Sequence, residues 1–180
     1  MIVTVSGDIG AGKSTVAKAL ARSLGLRYLS AGELFREEAR RRGLSLAAMG
    51  RLAERDQAID RELDRIQTEA ARAGGVLVDS RLSGWLIEGD LRIWLRAPLA
   101  VRAARVAARD GLSLGQALSE LRDREDSERR RYRATYQIDL TDLGRYHVVL
   151  DSAIWSAQEI VDALLMLARR FASERLGRPC

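Results

Sequence analysis

The sequence contains little cysteine, proline or lysine, and each shortage excludes a class of protein. The single cysteine, Cys180, is the last residue, so neither an internal disulfide framework nor a cysteine metal cluster is possible. Only two prolines occur, so no proline-rich linker divides the 180 residues, which suit one domain with a proper core. No apolar run approaches the roughly 18 residues of a membrane span, and the first residues lack the charged segment of a secretory signal. We expect a cytoplasmic protein with no membrane partner.

Aromatic residues make up only 5% of the chain, and the two lysines are Lys13 and Lys18. The formal net charge is nevertheless +5, because arginine is abundant. Arginine binds phosphate bidentately, so the excess is compatible with nucleotide or nucleic-acid ligands. The composition bias of an alanine- and arginine-rich chain is the alternative explanation for arginines outside a motif. Because no basic segment is interleaved with aromatic residues, we expect no nucleic-acid partner.

The most informative segment is 7–14, with the sequence GDIGAGKS, which follows the apolar run 1–5. It matches the phosphate-loop pattern G-x-x-x-x-G-K-[ST] in the strand–loop–helix context that this pattern requires. Its glycines let the backbone turn its N–H groups inward, and the helix that follows adds its positive end. The segment predicts a nucleoside triphosphate site, with Lys13 at the β- and γ-phosphates and Ser14 at Mg²⁺.

Short apolar segments alternate with helical ones along the rest of the chain. Ser30 with Glu33, Ser113 with Gln116 and Ser156 with Glu159 are spaced as capping boxes that open helices. Such alternation predicts an α/β fold, with a parallel sheet and helices on both faces. The predicted strands are 1–6, 27–30, 75–79, 91–96 and 147–151, and the predicted helices are 13–24, 33–42, 45–54, 58–73, 98–109, 114–134 and 157–172.

Ligands of open parallel sheets bind beyond the carboxyl ends of the strands. The predicted strand 75–79 ends at Asp79, which is placed as a Walker-B carboxylate that holds a water of the Mg²⁺ shell. A turn-forming role is the alternative for this residue. Arg81 follows on the loop that faces the same cleft, and Arg36 stands one turn into a helix that faces it too. These two arginines are candidates for a second phosphate.

The basic segment 122–132 carries Arg124, Glu128 and Arg131 at the spacing i, i+4 and i+7, and so on one helix face. A self-neutralising surface helix would have a similar pattern. The three consecutive arginines 129–131 exceed what such pairing needs. Phosphoryl transfer needs cations over the γ-phosphate and exclusion of water, and a closing basic lid supplies both.

These features occur in one order: the phosphate loop, the Ser-Ala-Gly-x-x-Phe-Arg segment 30–36, the Asp-x-Arg-x-x-Gly turn 79–84 and the basic lid. Together they resemble the nucleoside monophosphate kinases, and most closely the cytidylate kinases in their compact archaeal form, from Met1 to about Leu167. The resemblance implies a P-loop NTPase three-layer sandwich, with a five-stranded parallel sheet in the order 2-3-1-4-5 and a helical lid. It implies a single kinase domain with a core of 1–30, 74–112 and 140–172, an acceptor-binding helical section at about 31–73 and a lid at about 113–139.

The resemblance also implies a reaction, in which the γ-phosphoryl group of ATP passes in line to CMP or dCMP with the help of Mg²⁺. A kinase of AMP, UMP or a non-nucleotide acceptor is one alternative, and a nucleotide-dependent switch or ATPase is another. The expected partners are small-molecule substrates, and the expected state is a monomer. The implied catalytic residues are Lys13, Arg124 and Arg131. The resemblance implies that the acceptor binds at Arg36, Arg81 and Glu128, and that Mg²⁺ binds at Ser14 and Asp79. It implies that ATP binds at Gly7, Asp8, Ile9, Gly10, Ala11, Gly12, Lys13, Ser14 and Thr15.

The chain departs from the family pattern at two places. Bacterial cytidylate kinases have Asp-Gly-Arg-Asp where this chain has Asp-Ser-Arg-Leu at 79–82, so an acid that helps to read cytosine is missing. Asp60, Arg61 and Gln67 are candidates to replace it, and an ordinary solvated helix face is the alternative for each. Asp8 is unexpected within the phosphate loop, because a carboxylate repels triphosphate unless it points outward.

Overall fold

Five parallel strands form one sheet in the order β2-β3-β1-β4-β5, as predicted. The computed structural model describes residues 1–176, with side chains as far as Phe171, so Cys180 lies outside the described residues. The strands are β1 (Ile2–Gly7), β2 (Arg27–Ser30), β3 (Val76–Asp79), β4 (Leu91–Arg96) and β5 (Val148–Asp151). The helices are α1 (Lys13–Leu24), α2 (Ala31–Arg41), α3 (Leu46–Arg55), α4 (Gln57–Arg72), α5 (Ser83–Leu86), α6 (Leu99–Asp110), α7 (Leu114–Tyr136) and α8 (Ala157–Leu176).

The three central strands are apolar because helices cover both of their faces. On one face, Leu20 of α1 and Leu164 of α8 pack with the fully buried Val3, Ile93 and Leu95 of the sheet. On the other face, apolar side chains of α4, α5 and α7 pack against β3 and β4. The three-layer α/β sandwich expected from the sequence is therefore confirmed.

Two helical parts contribute both to the cover of this sheet and to structure outside its core. The first comprises α2, α3 and α4 between β2 and β3, and it has a small core of its own around Met49 and Ile59. The second is the 23-residue helix α7, which packs against both α6 and α3. These parts fall within the predicted sections 31–73 and 113–139.

Local differences from the sequence prediction have simple causes. The short helix α5 was not predicted, because four residues are too few to show helical periodicity. It lies tightly against the loop before β5: a Cβ added at Gly84 would stand 2.2 Å from the ring of Tyr146. Ser30 accepts from Glu33 N as predicted, but the Glu33 carboxylate pairs with Lys18 at 2.8 Å instead of completing a capping box. Within the described residues, no helix is long and apolar enough to cross a membrane.

Candidate active site

A cavity of about 1000 Å³ lies beyond the carboxyl ends of β1, β2 and β3. Its wall is formed by the phosphate loop, by the residues that follow these strands, and by side chains of α2, α3, α4 and α7. Every catalytic, ATP-, acceptor- and Mg²⁺-binding residue that the family resemblance implies lines it, except Gly7 and Asp8. The topology thus gathers segments that are far apart in the chain around one space.

The phosphate loop approaches β4 so closely that only glycine fits at its first position. Gly7 has φ +145°, and a Cβ there would lie 2.0 Å from Leu95 O. Gly12 has φ +84° and precedes α1, whose first turn has no side-chain cap. The first N–H groups of an uncapped helix lack intrahelical partners and, with the helix dipole, attract anions. The loop therefore has the form of a phosphate cradle.

Buried donors hold two carbonyl groups of this loop toward the protein interior. Arg102 Nη1 donates to Ile9 O at 3.0 Å, and Ser152 Oγ donates to Ala11 O at 2.8 Å. Arg102 and Ser152 are both buried. Because N–H and C=O point in opposite directions across a trans peptide, the N–H groups of residues 10 and 12 point away from these donors. Sequence reasoning missed Arg102, which resembles any other arginine of a helix in an arginine-rich chain.

Lys13 Nζ donates to Asp8 O at 2.8 Å, across the loop. Burial, together with the positive charge of Arg81, lowers the pKa of Lys13 to about 8. The nearby carboxylates of Asp79 and Glu128 oppose this shift without cancelling it. The nearby carboxylates therefore do not fully compensate the burial of the Lys13 amine, and the phosphates of a nucleotide would add the negative charge that stabilises its charged form.

Ser14 and Asp79 meet as predicted, with Ser14 Oγ donating to Asp79 Oδ2 at 2.6 Å. Tyr28 OH donates to the same oxygen at 2.8 Å, and burial next to Asp79 raises the pKa of Tyr28 above its usual range. Asp79 is only 3% exposed. A hydroxyl and a carboxylate side by side offer the oxygen ligands that Mg²⁺ prefers, so the residues present fit that ion.

Arg81 is held from several sides. Its Nε donates to Glu128 Oε2 at 2.8 Å, its Nη1 donates to Gly7 O at 2.7 Å, and Asp8 Oδ1 lies 3.6 Å away. Burial lowers the pKa of this guanidinium, but Glu128 and the neighbouring Tyr132 and Asp8 raise it above its usual value. Asp8 therefore faces Arg81, and its carboxylate is not among the groups that line the cavity.

Arg131 reaches from α7 to the helical section 31–73. Its Nε lies 3.1 Å from Asp60 Oδ2, and both side chains are 8% exposed. The guanidinium also stands over the ring of Phe35, 5.7 Å from the ring centre. Residues predicted on one face of α7 therefore have different partners: Glu128 binds Arg81, whereas Arg131 pairs with Asp60.

Arg36 and Arg124 also line the cavity, and Arg36 is exposed. Both approach the end of α6: a hydrogen bond from Arg109 lowers the pKa of Asp110, and the charges of Arg124 and Arg36 lower it further. Thr15, the last residue of the predicted ATP site, also lines the cavity and is exposed.

The three candidates for reading the base have different positions. Arg61 is exposed, and its Nη2 donates to Gln57 Oε1 at 3.2 Å, so the solvated-face interpretation holds for it. Asp60 and Gln67 are buried and line the cavity, together with Asp64, which sequence reasoning missed. The spacing of residues 60, 64 and 67 on one helix face was the signal that would have found it.

A protein-family model described as the cytidylate kinase-like family matches residues 2–154. The chain is 42% identical over 169 residues to a protein named cytidylate kinase from Methanothrix thermoacetophila, which covers 94% of this chain and 98% of that one. It is 46% identical over 161 residues to another protein of that name from Methanocella arvoryzae, and the match covers 89% of this chain and 92% of that one. Among solved structures, a gluconokinase from Sinorhizobium meliloti has a TM-score of 0.63 at 20% identity and covers 98% of this chain and 97% of its own. The latter likeness concerns the fold alone.

Proposed function

Because the chain belongs to the cytidylate kinase-like family, we propose that it transfers the γ-phosphoryl group of ATP to CMP or dCMP. The observation that carries this proposal is one cavity in which a phosphate loop meets the four predicted arginines. An acceptor that brings its own phosphate accounts for these cations, whereas an alcohol acceptor does not need both Arg36 and Arg81. The products are ADP and CDP or dCDP.

On the donor side, the loop from Gly7 to Thr15 binds the phosphates of ATP with its backbone N–H groups and the start of α1. Lys13 exchanges its hydrogen bond to Asp8 O for the β- and γ-phosphates. Ser14 and Asp79 would hold Mg²⁺, which when bound neutralises charge on the phosphate oxygens. Ser152 lies in the cavity wall, and by resemblance to the family the donor base would lie against the backbone at 151–153.

On the acceptor side, Arg36 and Arg81 bind the 5′-phosphate of CMP, and Arg124 and Arg131 neutralise charge on the transferred group. An oxygen of the acceptor phosphate attacks the γ-phosphorus, and the bond from that phosphorus to the β,γ-bridging oxygen breaks. The electron pair of this bond leaves with ADP. The enzyme contributes position and electrostatic stabilisation, and no covalent enzyme intermediate is needed.

In this proposal the chain is one kinase domain, and the acceptor-binding section 31–73 and the lid 113–139 close over the substrates. Side-chain contacts between the two sections support a common closing movement. Arg130 Nη2 lies 2.9 Å from Glu54 Oε1, and Tyr136 OH donates to Asp64 Oδ2 at 2.5 Å. The ion pair of Arg131 with Asp60 is another such contact.

The test measures ADP release from ATP and Mg²⁺ with CMP, dCMP, UMP, AMP and a non-nucleotide alcohol in turn. We expect rapid release with CMP and dCMP and almost none without an acceptor. A rate that ignores every acceptor would identify a switch or ATPase instead. If calorimetry detects ATP but no nucleoside monophosphate, the kinase proposal fails.

A pair of arginine variants locates the acceptor phosphate. Arg36→Gln is expected to raise the KM for CMP about tenfold or more, because a charged hydrogen bond to phosphate is lost. Arg40→Gln is the matched control, since Arg40 lies on the same helix, is 75% exposed and pairs with Glu37. Equal kinetics in the two variants would remove Arg36 from the acceptor site.

A further inference from the structure

Helix α4 has a polar stripe on a side where a packed helix is normally apolar. Asp60, Asp64 and Gln67 form this stripe, and all three line the cavity. Gln67 is only 2% exposed and Asp60 only 7% exposed. Burying such groups costs free energy unless they find hydrogen-bond partners. The stripe therefore needs a ligand or a set of internal partners.

The hydrogen bonds of Gln67 fix the orientation of its amide group. Its Nε2 donates to Leu63 O at 3.0 Å and to Asp64 Oδ1 at 3.1 Å. A flipped amide would place Oε1 against these two acceptors, so the nitrogen must occupy this position. Oε1 is buried and has no hydrogen-bond partner among the described residues. The stripe thus contains an unused acceptor.

The donors next to the stripe face its carboxylates and leave Gln67 Oε1 unpaired. Tyr136 OH donates to Asp64 Oδ2 at 2.5 Å. Arg131 Nε is close to Asp60 Oδ2 at 3.1 Å, although without hydrogen-bond geometry. Burial raises the pKa of Asp64 to about 6 and also raises the pKa of Asp60. Gln67 Oε1 and Asp60 Oδ2 therefore remain buried acceptors without a hydrogen bond among the described residues.

In the turn after β3, the last residue before α5 is apolar and offers the base no hydrogen-bond partner from its side chain. Leu82 lines the cavity there, but it is 2% exposed and packs with Trp94 and Tyr132. Recognition of a base by hydrogen bonds thus has to come from elsewhere in the wall. Helix α4 is the element that brings unused acceptors to it.

We infer that Asp64 and Gln67 contact the base of the acceptor nucleotide and select an exocyclic amino group over a carbonyl oxygen. This inference rests on the proposed function. The 4-amino group of cytosine donates hydrogen bonds, whereas O4 of uracil accepts them. The amino group finds acceptors at Gln67 Oε1 and the Asp64 carboxylate, whereas O4 meets atoms that repel it. The stripe therefore makes the site prefer CMP and dCMP to UMP.

The test compares kcat/KM for CMP with kcat/KM for UMP at saturating ATP. Asp64→Asn supplies an N–H donor where the wild-type chain has an acceptor, so it is expected to lower the CMP:UMP ratio about 10- to 100-fold, chiefly through KM. Gln67→Met keeps the volume and removes the acceptor, and it is expected to lower the ratio about tenfold. This second variant decides the question if the first does not fold.

Glu62→Gln is the matched control, because Glu62 lies on the exposed side of the same helix and pairs with Arg65 at 2.7 Å. Its CMP:UMP ratio is expected to equal that of the wild-type protein. If Asp64→Asn and Gln67→Met reduce kcat/KM equally for CMP and UMP, the stripe is structural and the inference is overturned. A wild-type protein that phosphorylates neither nucleotide overturns the proposed function as well, which separates the two failures.

Discussion

Arg81 Nε donates to Glu128 Oε2 at 2.8 Å, so two residues predicted to bind the acceptor bind each other in the structure. They are 47 positions apart in the chain, and their side chains are only 12% and 15% exposed. A guanidinium shielded from water needs a counter-charge, and Glu128 supplies it. A phosphate that arrives beside Arg81 has to compete with this carboxylate.

Glu128→Gln is expected to lower the melting temperature of the free protein more than that of the CMP complex, because the bound phosphate replaces the lost charge. The stabilisation by CMP, measured as the shift in Tm, should then exceed the wild-type shift. Glu120→Gln, on the exposed side of the same helix, should leave the shift unchanged. A smaller shift in Glu128→Gln would show that Glu128 itself binds the acceptor, for example at the sugar.

Lys13→Met is expected to lower kcat by about 10²-fold or more, since a positioned cation is lost where charge develops in phosphoryl transfer. Lys18→Met provides the control with the only other lysine, which is half-exposed and pairs with Glu33. Both variants should retain the wild-type circular dichroism spectrum. Normal turnover in Lys13→Met would exclude this side chain from the mechanism.

ATP binding is expected to take up about half a proton near pH 8. The pKa of Lys13 is lowered to about 8 in the free protein, so about half of these amines are neutral at that pH. The bound phosphates raise the pKa of Lys13, so that its neutral amine takes up a proton when ATP binds. ATP affinity therefore falls as the pH rises through about 8. Calorimetry in two buffers with different ionisation enthalpies measures the uptake, which should vanish in Lys13→Met. Uptake that persists in that variant would assign the proton to another group.

Arg131→Ala is expected to lower kcat by on the order of 10³-fold, as for other arginines aimed at a transferred phosphoryl group. It should also reduce the free energy of unfolding by about 3–5 kcal/mol, because Asp60 is left buried without its counter-ion. Urea unfolding and kcat are measured separately. Arg133→Ala, on the exposed side of α7, should change neither, and wild-type kcat in Arg131→Ala would contradict the proposed role.

The sequence was sufficient for the sheet and for the ends of most helices. Apolar strands, serine caps and glycine stops are local signals, and the sheet order came from the family resemblance. The motif residues Lys13, Ser14 and Asp79 could be placed for the same reason. The carboxylate partners of Arg81 and Arg131 could not, because each lies on a segment brought near only by the tertiary fold.

The burial of particular polar side chains could not be predicted from the sequence either. Charged and polar positions of a helix are normally solvated, so a solvated face is the sequence-based alternative for Asp60 and Gln67, and sequence reasoning missed Asp64. Arg102 was treated as one surface arginine among many, although it is buried against the phosphate loop. Burial of a polar residue depends on what packs over it, and composition and periodicity contain no record of that.

The phosphate loop owes its shape to donors from three distant places: Arg81 after β3, Arg102 on α6 and Ser152 after β5. A peptide limited to the first thirty residues would carry the complete motif yet lack all of these supports. Nucleotide affinity should therefore appear late in refolding, once β3, α6 and β5 have all assembled around the loop. In this molecule the ability to hold ATP is a measure of whether the whole chain has reached its native state.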